Sequence, residues 1–315
     1  MLSMAVTNFS TFLKEEVSKV KGIAYPIKVG FLRRVFIRKA PCSKLHPNPA
    51  DEFCLPEIGP NYEIMSRYAA DYRRVGSNQN DTQFLDSPIR EPIEVEKIYP
   101  DGYMILNGHH RWGAACRTGM KKLRIKIVDL TQKDDLQKML ASSASSRRVT
   151  FDLDEVIFRP EDDPWLEEPL RFPLKRWFRE RIRLGVPALF HMLNSEGYDI
   201  WIYSSGLCST EYLRYYFKHY HVRVAGIVTG MARKAPAGTD TKKALEALMN
   251  NKYTTTVNID NQEVIRTDAE SASFDEYRLS GNGETWSREI MDIFGKMKKK
   301  VMDFRENKRI FMSPN

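Results

Sequence analysis

Two short strings constrain this chain more than anything else in it: Phe151-Asp152-Leu153-Asp154-Glu155-Val156 and Asn107-Gly108-His109-His110-Arg111. The first sets two acids at the end of an apolar strand. Successive strand side chains point to opposite faces, so acids at i and i+2 point to the same side. The second string places a glycine and three cationic or polar side chains at the end of another strand, just before a helix. There, backbone N–H groups and the helix macrodipole favour an anion. Both patterns grip phosphate, which predicts two phosphate-handling sites on two domains.

A chain of 315 residues has room for two domains. The Ser/Ala stretch Ala141–Ser146 reads as the linker, giving domains at 1–140 and 147–315. Beyond it, strands are expected at Val149–Leu153, Asp199–Tyr203, Val224–Thr229 and Thr254–Ile259. Helices Ser209–His219 and Thr241–Met249 alternate with them, and one or two more lie between Arg159 and Asn194. That alternation predicts a parallel α/β sheet. The first domain reads as α+β. It has a strand at Phe31–Lys39, an ordered loop Pro41–Pro60 and a helix Tyr62–Tyr72. Strands Ile93–Ile98 and Tyr103–Leu106 follow across a Pro100-Asp101-Gly102 turn, then a helix stopped at Gly119 and a strand Leu123–Val128.

The net charge of +8 favours anionic partners: nucleotides, phosphate esters or nucleic acid. Much of it lies in the tail, where Lys298–Lys300, Arg305, Lys308 and Arg309 read as a solvated helix face. Cys42, Cys54, Cys116 and Cys208 show neither zinc-ligand nor disulfide-framework spacing. No run approaches 18 apolar residues, so no membrane span is expected, and a cytoplasmic location is.

In the second domain, Asp199-Ile-Trp-Ile-Tyr ends in Ser204-Ser205-Gly206, and Thr254–Ile259 ends in Asp260-Asn261. Lysines occur between them at Lys234 and Lys242. The order DxDxx, strand-Ser, Lys, strand-Asp resembles the haloacid-dehalogenase-like phosphatase superfamily, over roughly Arg147 to Phe294. The resemblance implies a Rossmann-like parallel α/β fold. It makes Asp152 the nucleophile and Asp154 the general acid/base. Ser204 and Ser205 would bind the transferring phosphoryl group, and a lysine (Lys242, Lys243, Lys234 or Lys252) would neutralise it. Asp152, Asp154 and Asp260 would hold Mg²⁺. Asn261 stands where the family usually has a second acid, and Asp268 is the only nearby substitute. About 50 residues separate the acid pair from Ser204, too few for a large cap.

In the first domain, the paired strands around Asn107-Gly-His-His-Arg-Trp-Gly-Ala-Ala resemble the ParB/sulfiredoxin-like fold over roughly residues 31–130. This implies a nucleotide, ATP or another, bound through Gly108, His109, His110 and Arg111. Sulfiredoxins carry a Cys inside the motif, where His109 stands here. Chromosome-partitioning members continue into a helix-turn-helix, which is not the sequel here. A branch of small-molecule kinases uses an upstream catalytic Glu, for which Glu52 is the candidate. Trp112 is expected in the core.

The expectation is a Mg²⁺-dependent phosphatase or phosphotransferase with a second nucleotide-binding, kinase-like site. Its substrate would be a nucleotide, a nucleic-acid end or a small phosphoester. The alternative is a nucleotide-switched nucleic-acid-binding or regulatory protein with a degenerate phosphatase scaffold.

Overall fold

The computed structural model describes residues 8–30, 33–34, 36–77, 88–230, 241–269, 272–280 and 283–312. The chain is mixed α/β and divides into two compact units. The first comprises Met1–Leu130 with Leu207–Glu211 and Ala232–Thr241; the second holds the rest.

The first unit is built on strands β1 (Tyr25–Pro26), β2 (Arg38–Pro41), β3 (Leu45–His46), β4 (Ile93–Tyr99), β5 (Tyr103–Asn107) and β6 (Lys122–Ile127). They form one sheet in the order β2-β6-β4-β5-β3, with β1 on β4. The β4–β6 and β3–β5 pairs are parallel; the others are antiparallel. Helices α1 (Phe9–Ser18), α2 (Tyr62–Ser77) and α3 (His109–Arg117) complete the unit. Strand β6 reads Lys-Leu-Arg-Ile-Lys-Ile and buries every second residue, as a one-sided strand should. Its buried side chains share a core with Phe9, Phe53, Met65 and Trp112. The expected strand over Phe31–Lys39 reduces to β2, because Phe36 and Ile37 are exposed rather than paired. Residues 31, 32 and 35 lie outside the described residues.

The second unit contains α4 (Lys133–Ala141), β7 (Arg147–Asp152), β8 (Phe158–Arg159), β9 (Arg181–Ile182), α5 (Val186–Ser195) and β10 (Asp199–Tyr203). These are followed by most of α6 (Thr210–His219), then β11 (Gly226–Val228), α7 (Thr241–Lys252), β12 (Thr255–Ile259), β13 (Glu263–Asp268), β14 (Ser273–Arg278) and α8 (Trp286–Met312). The main sheet runs β11-β10-β7-β12-β13-β14. Its first four strands are parallel and its last two antiparallel. Strand β7 is first in the sequence yet central in the sheet, so the winding reverses beside it. Open α/β sheets bind ligands outside the carboxyl ends of the strands at such a reversal.

The helical content expected between Arg159 and Asn194 reduces to α5 and one 3₁₀ turn, Leu174–Arg176. Most of that interval is instead the connection of a short β8–β9 hairpin. The β13–β14 hairpin has no counterpart in the sequence expectation: Val264 is the only fully buried residue in its two strands, and charged residues such as Arg266, Asp275 and Glu276 interrupt any apolar pattern.

The Ser/Ala stretch is not a free linker. Ser143 hydrogen-bonds the Asp199 carboxylate, Ser145 Oγ donates to the carbonyls of Arg147 (3.0 Å) and Gly197 (2.8 Å), and Ser146 O accepts from Thr254 N–H (2.9 Å). Helix α4 belongs to the second unit because Met139 is buried against Trp201, Val228, Met249 and Tyr253. The division therefore falls at Leu130, earlier than composition indicates. Close packing also explains Gly226, which pairs with Trp201: a Cβ there would sit 2.2 Å from the indole ring.

Candidate functional site

In the second unit, strand register does the assembling. Tyr203 is level with Asp152 on one side, and Ile259 is level with Phe151 on the other. Ser204 and Asp260, one residue beyond those partners, thus flank Asp152 at the carboxyl edge.

Directly after β7 the chain makes a short π-helical turn, Leu153–Ile157. Asp152 caps it, its Oδ1 accepting the N–H groups of Asp154 (2.7 Å) and Glu155 (2.8 Å). Leu153, Val156 and Ile157 are buried, which anchors the turn. Asp154 points to the turn after β10. Ser204 Oγ lies 3.0 Å from both of its carboxylate oxygens. Asp154 Oδ2 also accepts Ser205 N–H (2.9 Å), Ser205 Oγ–H (3.0 Å) and Gly206 N–H (3.3 Å). Two hydroxyls and two backbone amides therefore form an oxyanion cradle, filled here by a carboxylate.

Asp260 caps its own turn, its Oδ1 accepting Asn261 N–H at 2.6 Å. Asn261 is a bridge. Its Oδ1 accepts from the Arg183 guanidinium at 2.9 Å and its Nδ2 donates to Glu155 O at 3.2 Å. An aspartate could not make that donation, a physical reason for an amide at this position. Arg183 is buried, with its guanidinium 4.2 Å from the centre of the Trp286 ring. Burial, with Arg159 nearby, pulls its pKa down to about 10, which leaves it charged at neutral pH. Asp268 does not replace the second acid. It pairs with Thr255 at the start of β12, so it lies at the opposite edge of the sheet, where it accepts from Thr255 Oγ1 and Arg266.

Among the described residues, no three His, Cys, Asp or Glu side chains gather as metal ligands. Of the three expected ligands, Asp152 and Asp260 stand at the edge while Asp154 is held by the cradle. Lys252 is fastened elsewhere, to Ser143 O at 2.6 Å. Lys234 lies outside the described residues, as do the side chains of Lys242 and Lys243, the second and third residues of α7. Two surface cavities, of about 670 and 760 Å³, open at the other, amino-terminal edge of the sheet; Ser146, Arg147 and Tyr198 line both.

In the first unit, Gly108 precedes α3 with φ +99°, a left-handed conformation that glycine adopts without steric cost. A Cβ there would approach Arg111 Nη2 to 3.0 Å and Ile93 Cγ1 to 3.2 Å. Arg111 therefore folds back over the first turn of the helix. It is buried, donating to Glu91 O at 2.9 Å and to the Glu91 carboxylate at 3.4 Å.

The two histidines do not present cations. His109 is buried, and its Nε2 accepts Asn48 N–H at 3.2 Å. His110 Nε2 accepts Asn61 N–H at 3.1 Å, while Asn61 Oδ1 caps α2. Burial pushes the His109 imidazole down to about 4, against the opposing pull of Asp51, whose Oδ1 lies 3.7 Å from Nδ1. Burial lowers His110 as well. Both rings are neutral hydrogen-bond acceptors that pin the 48–61 loop to α3. Glu52 is exposed and opens a 3₁₀ turn, Glu52–Cys54, beside that helix start; its neighbour Phe53 packs against both imidazoles. Trp112 is fully buried, as expected.

Gly206 supplies one of the N–H groups expected of the Ser204-Ser205-Gly206 turn; Arg183, Asn48, Asn61 and Glu91 are site residues that the sequence does not single out. The cap pattern Asn61-x-Glu63 is visible in the sequence; for Arg183 there was no local signal.

The pH dependence follows from the His109 shift. Its folded pKa lies below the unfolded value of about 6.5, so the unfolded chain binds more protons between about 6.5 and 4. The stabilising contribution is complete above that window and is lost as pH falls through it. His109→Gln keeps an acceptor but does not titrate. Wild type should lose about 2 kcal/mol relative to this variant between pH 7 and 4.5, measured by denaturant unfolding. Parallel pH profiles would contradict it.

Residues 86–144 match the model of the ParB N-terminal domain. That stretch spans β4, β5, α3 and β6 and continues through α4. No curated protein matches the chain.

Proposed function

We propose that the second unit is a haloacid-dehalogenase-like phosphatase or phosphotransferase. The observation that carries this reading is Asp152, flanked in register by Ser204 and Asp260 at the reversal of a parallel sheet, beside a cradle already holding an oxyanion. Mg²⁺ suits the donor set, because it takes hard oxygen ligands, often one or two carboxylates with waters and substrate phosphate. Asp152 and Asp260 would hold it, and it would screen charge on the phosphoryl oxygens.

In this reading the phosphoryl group enters the Ser204–Gly206 cradle and displaces the Asp154 carboxylate. An Asp152 carboxylate oxygen attacks phosphorus, and the ester P–O bond breaks. Asp154 supplies the leaving oxygen with a proton. Water then attacks the aspartyl phosphate while Asp154 takes its proton, releasing inorganic phosphate and restoring Asp152.

The first unit would bind a nucleotide at the start of α3. The contacts offered there are the first-turn N–H groups and Arg111, with Glu91 displaced by the incoming phosphate. Because His109 and His110 are neutral, they act by holding the loop that carries Glu52, the candidate kinase base.

A second reading is favoured by Asp154 itself. A carboxylate that fills the cradle, with Asn261 tied to Arg183, also suits a binding or regulatory protein whose second unit is catalytically silent. Turnover of a phosphate monoester with Mg²⁺ separates the two.

Asp152→Asn should abolish that turnover. Asp154→Asn should slow it by about 10²–10⁴-fold yet bind inorganic phosphate at least as tightly as wild type, because a competing charge leaves the cradle. Steady-state kinetics and calorimetry check both; near-normal turnover in Asp152→Asn would remove it as nucleophile. For the first unit, Arg111→Ala should weaken nucleotide binding by about 1.5–3 kcal/mol, the scale of a charged hydrogen bond. Unchanged affinity by calorimetry would sink that site.

A further inference from the structure

The connection between β8 and β9 changes character halfway. Its first half carries Glu161, Asp162, Asp163, Glu167 and Glu168; from Arg171 onward it reads Arg-Phe-Pro-Leu-Lys-Arg-Trp-Phe-Arg. Arg171, Lys175, Arg176 and Arg179 are exposed, and no side-chain hydrogen bond or ion pair engages them among the described residues. Two large aromatic rings are exposed among them, Phe172 at 76% and Trp177 at 52%. They bracket the 3₁₀ turn Leu174–Arg176.

The turn is held from behind. Phe178 is buried, its ring 4.9 Å from that of Tyr212 and 5.5 Å from that of Tyr216. Tyr212 Oη donates to Trp177 O at 3.2 Å and Tyr216 Oη to Glu180 O at 2.8 Å. With its neighbour committed to α6 in this way, Trp177 faces outward. The roots of the hairpin reach the phosphate site: Arg183 N–H donates to Ile157 O at 2.9 Å, and the Arg183 guanidinium holds Asn261.

We propose that residues 171–179 are a platform for single-stranded nucleic acid whose phosphorylated end is the substrate of Asp152. The step to substrate rests on the phosphatase reading above. Cations track a phosphate backbone, and exposed rings stack bases that have no pairing partner. A duplex would hide the base faces the rings need. The same connection carries the exposed acids Glu161, Asp162 and Glu168, which would repel a plane of anionic lipid while a single strand can follow the basic segment alone.

The full chain is titrated with a dye-labelled single strand of roughly 12 nucleotides, lacking a terminal phosphate and without Mg²⁺. Binding should weaken with salt. Combining Phe172→Ala with Trp177→Ala should weaken it about tenfold or more at an unchanged thermal midpoint. Combining Arg176→Gln with Arg179→Gln should flatten the salt dependence. Unchanged affinity in the aromatic variant overturns the platform, as does tighter binding of a duplex, polyglutamate or anionic vesicles. Phosphate release from a 3′-phosphorylated strand is scored separately with Mg²⁺. A strand bound through the platform but never dephosphorylated, while a small ester is hydrolysed, removes the strand end as substrate; the same binding with no ester hydrolysed removes the phosphatase reading and leaves the platform. Hydrolysis of a small ester with strand binding indifferent to both variants removes the platform alone.

Discussion

Four donors on the turn after β10 converge on one carboxylate, that of Asp154. This arrangement joins the ends of β7 and β10. It fixes the π-turn that Asp152 caps and shows that the turn after β10 can hold an oxyanion. Packing below sets it up. Val149 and Phe151 are buried on one face of β7, Leu153 is buried at the start of the turn, and Ile200, Trp201 and Ile202 fix β10 beside it. A slip of one residue in β7 would move Asp152 out of register with Tyr203 and carry Val149 and Phe151 to the other face of the sheet.

The same logic in the first unit gives a different result. Gly108 opens a helix whose first turn could receive an anion, but the histidines that follow are consumed by structure. Burial of an imidazole favours its neutral form, and a neutral ring can accept a backbone N–H. His109 and His110 accept from Asn48 and Asn61, so the loop bearing Glu52 is set by them. Arg111 sits against the exposed carboxylate of Glu91.

Much of this was legible in the sequence. The strand ending in Asp152, the strand ending in Tyr203 and the β4–β5 pair around Pro100-Asp101-Gly102 all follow from apolar runs and turn chemistry. Other features depend on long-range contacts that no local pattern encodes. Helix α4 lies within the stretch that matches the ParB N-terminal domain, yet it packs through Met139 on Trp201 of the second unit. Ala141–Ser146 has the composition of a linker, but its hydroxyls and carbonyls pair with distant backbone. Histidines next to a glycine read as cations until their burial is known. Asn261 reads as a lost acid until Arg183, 78 residues away in the chain, is seen bonded to it.

The central claim is that Asp152 becomes phosphorylated. Rapid quenching of the full chain during turnover of a phosphate ester with Mg²⁺, followed by borohydride reduction and peptide mapping, tests it most directly. Borohydride converts an aspartyl phosphate to homoserine. The account predicts homoserine at position 152, and none at 154 or 260. Turnover with no reduced residue at 152, or with the modification at another acid, would contradict it.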